Sequence, residues 1–320
     1  MGKVASNKNP LLDAAREACA DELKAVEFLE GQRWGDAPAC VHCGDMDVYK
    51  MRSNQGGRNK RYLWRCRGCG KMYTVRTGTV MEDSNIPHRY WVMALWLYTS
   101  SKKGFAAKQL ERMTGLSYKS ALFLAHRVRY IMSEEPSTPF TGTVEVDETY
   151  VGGKPRKSDP KPRKRGRGTS KIPVVAVVER GGRVVASPVA NVNAANLKGA
   201  IRAYCHPSAR IVTDELVLYK GIGSEFEGGH RTVNHSSDEY VRTDPDGFKV
   251  YTNTAEGFFS LLQRGIFGIH HSVSPNHLWR YVDEAAWKYS FRGIDDGERL
   301  QVLLRGMEGK KLANRKSAAL

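Results

Sequence analysis

Thr143 to Lys154 reads TVEVDETYVGGK. Val144 and Val146 alternate with Glu145 and Asp147, which predicts a short strand with one buried face and the adjacent carboxylates Asp147 and Glu148 at its C-terminal end. Gly152 and Gly153 open a turn into a loop where nine of the eighteen positions from Lys154 to Lys171 are Lys or Arg, with Asp159 the single acid. Carboxylates beside a cationic loop suggest metal-assisted chemistry on a polyanion. An exposed acidic strand end followed by a solvated basic loop describes the same residues. The elements on either side decide between the two.

Downstream, Ile172 to Val178 and Arg183 to Val189 are Val-rich runs separated by Glu-Arg-Gly-Gly, a hairpin signal. With the opening stretch they predict three consecutive antiparallel strands. Asn193 to Tyr204 reads as a helix, and Ala209 to Thr213 as a short buried strand ending in Asp214 and Glu215. A polar, Gly-rich interval leads to a further strand at Arg231 to His235. Asn253 then begins a long helix through Phe258, Phe259, Leu261 and Leu262. Glu256 in its first turn has two readings: partner of a capping box with Asn253 as cap, or a functional carboxylate on a polar stripe with Ser260 and Gln263. Arg264 borders that stripe and is placed to hold a phosphate. Leu278 to Arg292 is an amphipathic helix with Trp279, Val282, Ala286 and Tyr289 inward and Asp283 and Glu284 toward solvent.

Three antiparallel strands, a helix, a strand and later helices is the order of an α/β, RNase H-like fold, a mixed sheet flanked by helices. Asp147 and Asp214 would lie side by side in it, with a carboxylate from a later helix completing the cluster. Bare carboxylates so placed repel one another, and divalent magnesium relieves the repulsion while leaving positions for phosphate oxygens and water. Two such ions about 4 Å apart suit an in-line displacement at phosphorus.

Upstream, Leu11 to Glu30 has helical spacing, with Gly31 as its stop. Cys40 and Cys43 form one C-x-x-C pair and Cys66 and Cys69 another, with 22 residues between the pairs. Four thiolates at that spacing predict a structural Zn2+ site on two hairpin knuckles, whereas a redox dithiol would need one pair. His42 is read as a spectator. Pro87 to Tyr98 is an aromatic-rich packing helix. Ala106 to Met113, the turn Thr114 to Ser117 and Tyr118 to Met132 form a helix-turn-helix pattern, with Lys119, His126, Arg127 and Arg129 on the second helix. Plain helical bundles share that pattern, and the charge of the whole chain favours DNA binding.

That charge is +16, from 50 Lys and Arg against 34 Asp and Glu, in 320 residues, enough for two or three domains. Nucleic acid is the expected partner. No run of about 18 apolar residues and no signal peptide is visible, so a soluble, cytoplasmic protein without membrane partners is expected, nucleoid-associated when bound to DNA.

Several stretches together resemble one family: RWGDAPACVHCG at Arg33 to Gly44, YTVRTGTVMEDS at Tyr73 to Ser84, VDETYVGGK, TDE at Thr213 to Glu215, NTAEGFFSLLQRGIFG and HLWRYVDE. They run through nearly the whole chain, which resembles a DDE-type insertion-sequence transposase with an N-terminal zinc ribbon, of the insertion-sequence family numbered fifteen ninety-five. The resemblance implies that Asp147, Asp214 and Glu256 are the catalytic acids and hold two Mg2+ ions, with Mn2+ able to stand in. It also implies a homodimer or larger assembly on double-stranded DNA, comprising terminal inverted repeats and target. Where the family usually shows Lys before the Arg of its SLLKR stretch, this chain has Gln263 followed by Arg264. Where relatives often end the next helix with Asn-Arg-Arg, it has Ser290-Phe291-Arg292.

The resulting expectations are an N-terminal helix over 1–31, a zinc ribbon over 32–82, a helix-turn-helix region over 83–138, a catalytic domain over 139–308 and a basic tail over 309–320. DNA contacts are expected from Lys119 and Arg127, from Lys154, Arg156, Lys157, Arg163, Lys164, Arg165 and Arg167 of the basic loop, and from Arg264. The expected activity is strand cleavage followed by strand transfer. A DNA-binding regulator without chemistry and a stand-alone nuclease are the alternatives.

Overall fold

The computed structural model describes residues 9–133, 137–153 and 171–311. The basic loop, with Lys154, Arg156, Lys157, Arg163, Lys164, Arg165 and Arg167, and the tail from residue 312 lie outside them. The chain divides into two compact units: one runs to Met132 and takes in the segment from Ile294, the other spans Ser133 to Gly293.

In the first unit the expected single N-terminal helix is two, α1 (Pro10–Ala18) and α2 (Glu22–Trp34). The break falls at Asp21, whose side chain accepts from Lys24 N at 2.8 Å and so starts a new helix. Gly31 does not end α2, which runs on to Gly35 at φ 58°. Strands β1 (Val48–Lys50), β2 (Trp64–Cys66) and β3 (Met72–Tyr73) form a small antiparallel ribbon. It is anchored to α2 by buried Glu30, which accepts from Trp64 Nε1 at 2.7 Å and pairs with Arg58. Helix α3 (His88–Ser100) is followed by α4 (Ala107–Thr114) and α5 (Tyr118–Met132). Gly115 ends α4 in the left-handed region at φ 71°, the conformation a tight turn between helices asks of a glycine. A last helix, Asp296–Arg305, packs on α2 and α3, a return that no motif announces.

The second unit is built on a five-stranded mixed sheet. Its strands are β4 (Thr143–Val151), β5 (Ile172–Glu179), β6 (Val184–Pro188), β7 (Arg210–Asp214) and β8 (His230–Val233), in the order β6-β5-β4-β7-β8. β4, β5 and β6 are antiparallel neighbours, while β7 and β8 run parallel to β4. This is the expected mixed sheet with helices on both faces. α6 (Ala194–Tyr204) covers one face, where Val144, Val146, Val175, Val177 and Ile211 pack on Leu197 and Ile201. α7 (Asn253–Gly265) and α8 (Leu278–Ser290) cover the other, against Val151, Val174, Ala176, Val178 and Ala186. A two-stranded hairpin, β9 (Arg242–Thr243) with β10 (Lys249–Val250), precedes α7.

Two burial expectations change. β4 is buried on both faces, because α7 covers the side that carries Glu145. On α8, Glu284 is buried rather than solvent-facing and pairs with Lys288 at 3.5 Å. Among the described residues no helix is long and apolar enough to cross a membrane.

Candidate functional site

The four cysteines of the ribbon converge as their spacing predicts. Their sulfurs lie within 4.8 Å of one another, with Cys40 to Cys69 and Cys43 to Cys66 each at 3.7 Å. Sulfurs about 2.3 Å from a central zinc stand at the corners of a tetrahedron with edges of about 3.8 Å, so this set fits Zn2+. Each knuckle also aims an N–H at a sulfur: His42 N at Cys40 and Cys69 N at Cys66, both at 3.4 Å. Burial works against a Cys40 thiolate, but the N–H groups of His42 and Cys43 and the neighbouring thiols bring its pKa down to about 7. The N–H of Asp45 favours a Cys43 thiolate, but burial and the three thiols around it push Cys43 up to about 12. Metal-free, the cluster favours ionisation at one corner and opposes it at another; four thiolates together need a cation. His42 stays outside the set, its Nε2 3.4 Å from the carbonyl of Met72.

In the second unit the side chains of Glu145, Asp147 and Thr149 alternate onto the face of β4 that α7 covers. Glu145 meets the start of α7, where Thr254 N and Ala255 N donate to it, and Thr149 meets Gln263, whose Nε2 donates to Thr149 Oγ1 at 2.9 Å. Asp147 lies between those contacts. The parallel register pairs Glu145 with Val212, and the period of two puts Asp147 and Asp214, each two residues further along its own strand, on that same face. Burial raises the pKa of Asp147 to about 8, helped by the charges of Glu148, Asp214 and Glu256 and opposed by the N–H of Glu148, 2.7 Å from Oδ1. Oδ1 of Asp214 accepts from Leu216 N at 3.1 Å. Glu256 stands in the first turns of α7 with half its side chain exposed, 3.7 Å from His235 Nε2 and 3.5 Å from Thr252 Oγ1.

The capping-box reading of Glu256 is not what forms. Thr252, not Asn253, occupies the cap position, and no side chain from it closes the helix start. Glu145 takes that role across the sheet, joined by Arg180 Nε at 2.6 Å. Sequence reading passed over Glu145, although a period of two that turns Asp147 inward turns Glu145 inward as well. Glu148 faces a partner of its own: the buried Tyr219 hydroxyl donates to it at 3.3 Å. Glu215 is spent on the turn at His235 to Ser237, accepting from His235 N and Ser236 N, and the Ser236 hydroxyl and these N–H groups hold it down at about 2.

The acids do not converge as the thiols do. Among the described residues the cysteine cluster is the one group of three or more His, Cys, Asp or Glu side chains whose ligand atoms all lie within 4.8 Å of one another.

Of the described DNA-contact candidates, Lys119 and Arg264 are exposed. Arg127 is not: it is 5 % exposed, its Nη1 donates to the carbonyls of Val80 at 2.8 Å and Glu82 at 2.9 Å, and its guanidinium lies 4.4 Å from the Phe123 ring centroid. The expected DNA contact is therefore corrected to an internal brace. His126 and Arg129 on the same helix are buried too.

Comparison with known proteins matches residues 20–72 to the transposase zinc-ribbon domain and residues 139–290 to the ISXO2-like transposase domain. An uncharacterized protein in transposable element ISH50 of Halobacterium salinarum is 29% identical over 272 residues, covering 82% of this chain and 88% of that one. A crystal structure of a pre-cleavage Mos1 transpososome aligns over 95% of this chain and 99% of that one at 14% identity, with a TM-score of 0.27. With a zinc ribbon, a mixed sheet after it in the chain and both domain matches in the expected order, the chain belongs to the DDE-type insertion-sequence transposases with an N-terminal zinc ribbon.

Proposed function

We infer that this transposase binds the terminal inverted repeats of its element, cleaves there to release 3′-hydroxyls and joins those hydroxyls to target DNA. All of the chemistry is assigned to the face that carries Asp147, Asp214 and Glu256. What supports the reading is the register: β4 and β7 pair in parallel as far as Glu145 with Val212, a pairing whose continuation by two residues would set Asp147 beside Asp214, on the face under the helix that bears Glu256. Their all-oxygen donor set suits a hard cation, and burial first, then the charges of Glu148, Asp214 and Glu256, push the Asp147 carboxyl up, a cost that a cation would offset. Two Mg2+ ions, or Mn2+ in their place, would neutralise that repulsion and supply Lewis-acid assistance to the attacking and leaving oxygens.

The residues themselves account for the rest. Asp147 sits on a rigid central strand with its carboxylate fixed by the Glu148 N–H. Asp214 is held by the Leu216 N–H, so the pair keeps its direction while the helix supplies the third acid. In cleavage a water oxygen bonds to phosphorus, the P–O3′ bond breaks, and the 3′ oxygen leaves with a proton. In joining, the freed 3′-hydroxyl attacks a target phosphodiester, gives up its proton and displaces the target's own 3′ oxygen. One P–O bond forms for each that breaks, so no energy source is needed.

The ribbon and the helix-turn-helix region are assigned to the terminal repeats, through Lys119 among others, and the basic loop after Gly153 and Arg264 to phosphates near the acids. Two ends must be joined together, which asks for a dimer or larger assembly on DNA.

The test incubates the protein with labelled DNA carrying the element ends and a target plasmid, with and without magnesium. Metal-dependent joined product is expected, and Asp147→Asn or Asp214→Asn should lower it by about a thousandfold or more, the several kcal/mol a metal clamp supplies. Nicking without joining would make the chain a nuclease; binding without nicking would make it a regulator. Joining that survives either substitution would overturn the site.

A further inference from the structure

We propose that Glu145 is a positioning residue of this site, a carboxylate on the strand of Asp147 that sets where α7 begins and so where Glu256 stands. The inference rests on the reading of Asp147, Asp214 and Glu256 as the metal-holding trio.

A helix start leaves its first N–H groups without partners, and burying them bare is costly. α7 has no side-chain cap from its own flanking residues. Glu145, 0 % exposed, supplies the missing acceptor: one oxygen takes Thr254 N at 2.8 Å and Ala255 N at 3.0 Å. The other takes the Thr254 hydroxyl at 2.8 Å and Arg180 Nε at 2.6 Å. Arg180 then donates to the carbonyls of Lys249 at 2.8 Å and Tyr251 at 2.9 Å, and its guanidinium lies 3.7 Å from the Tyr251 ring centroid. The clamp grips both the chain entering α7 and the helix's first turn, and Glu256 is the next residue after Ala255.

Its placement says more than that the helix needs a cap. A Ser, Asn or Asp at the position of Thr252 would close the helix start locally. It would not tie the start to β4. An anionic cap two residues from Asp147 adds negative charge to a face already crowded with it, and a buried charge is kept only with its partners. Arg180 and the positive end of α7 provide them. What this arrangement uniquely provides is a fixed distance between the strand that bears Asp147 and the turn that bears Glu256.

The test uses the full-length, zinc-loaded protein and follows Mn2+ binding by loss of the free-ion EPR signal, alongside cleavage of end DNA as manganese is raised. Asp147→Asn should remove the tight Mn2+ site. Glu145→Gln keeps the shape and loses the charge, and should weaken Mn2+ roughly tenfold, the scale found for groups that orient metal ligands. Cleavage by that variant should recover at saturating manganese, and binding to end DNA should not change. Thr254→Val removes a single donor to the Glu145 carboxylate and leaves the ion pair, so about threefold is expected, a fraction of what a hydrogen bond to a charged group is worth. If Glu145→Gln fails to fold, Thr254→Val decides. Lower thermal stability with wild-type Mn2+ affinity in the folded variants would reduce Glu145 to a structural cap and overturn the proposal, leaving the trio standing. Wild-type Mn2+ binding in Asp147→Asn would instead overturn the trio, and the proposal with it.

Discussion

The four thiols of the ribbon and the three proposed carboxylates differ in how far the fold alone brings them together. The thiols sit on two knuckles, each a C-x-x-C turn whose own N–H groups point at sulfur, and all four sulfurs lie within 4.8 Å. The carboxylates come from the middle of β4, which runs on to Val151 rather than ending at Asp147 and Glu148 as its sequence suggested, from the end of β7 and from the start of α7, far apart in sequence, and they stand more loosely. A group that must stay bound to keep a small ribbon folded gains from a closed set of ligands. A site that must admit phosphate gains from an open one that closes on its cation and substrate. The contrast predicts that metal removal should unfold one region and only relax the other.

The largest effect should come from the ribbon. β1, β2 and β3 are two or three residues each, and their core is little more than Trp64, Tyr73 and the buried cysteines. Structural zinc is worth on the order of 10 kcal/mol in comparable small modules, more than such a core supplies. Metal analysis should find one zinc per chain, lost in Cys66→Ser. Hydrogen exchange after chelation should show the ribbon amides unprotected while those of β4 and β5 keep their protection. Protected ribbon amides in the zinc-free protein would break the comparison.

The smaller second effect has the opposite sign. The pKa of Asp147 is raised from 3.8 to about 8, so the folded protein holds a proton that the unfolded chain sheds. A raised folded pKa stabilises fully below the unfolded value, and that stabilisation drains away as pH climbs to the folded one. Asn mimics the protonated acid and does not titrate. Without added divalent ions, Asp147→Asn should therefore melt above the wild type, by a margin that widens from about pH 4 to about pH 8 and then levels. Its upper bound is on the order of 6 kcal/mol, about four tenfold changes in proton affinity at about 1.4 kcal/mol each. Magnesium should raise the wild-type melting temperature and leave the variant where it was. A variant less stable than the wild type at pH 8 would mean that Asp147 serves the fold rather than a cation.

What was legible in the sequence follows the same division between local and assembled. The ribbon was readable because its ligands and their turns lie within two short windows. Asp147 and Asp214 could be proposed from the sequence because each ends a hydrophobic run, and the strand order does make their two strands neighbours. Glu145 was not, because its role depends on α7 crossing β4 more than a hundred residues later. Asp21 was missed within a helical pattern that its cap divides in two. Glu284 looked exposed because a charge on an amphipathic helix is usually solvated, but here Lys288 one turn on shares its burial. Apolar periodicity tells which face of an element is covered; it does not tell whether a charged residue at the margin is covered as well.

Arg127 and Lys119 on α5 test that last point at the smallest scale. Both were expected to face DNA, eight residues apart on one helix. Lys119 is exposed in the first turn, whereas Arg127 is folded onto the carbonyls of Val80 and Glu82. Arg127→Met keeps much of the packing volume and orphans those carbonyls, so it should cost roughly 2 kcal/mol of stability, read by denaturant unfolding. At a temperature where the variant stays folded, its affinity for end DNA should be unchanged. Lys119→Ala should leave the unfolding midpoint within about 0.5 kcal/mol of wild type. If it contacts a phosphate, its binding to end DNA should fall and the slope of log affinity against log salt should shrink by about 1. The two substitutions should thus separate stability from binding on a single helix. An Arg127→Met variant that loses salt-dependent affinity without losing stability would return Arg127 to the DNA side and require α5 to turn when DNA binds.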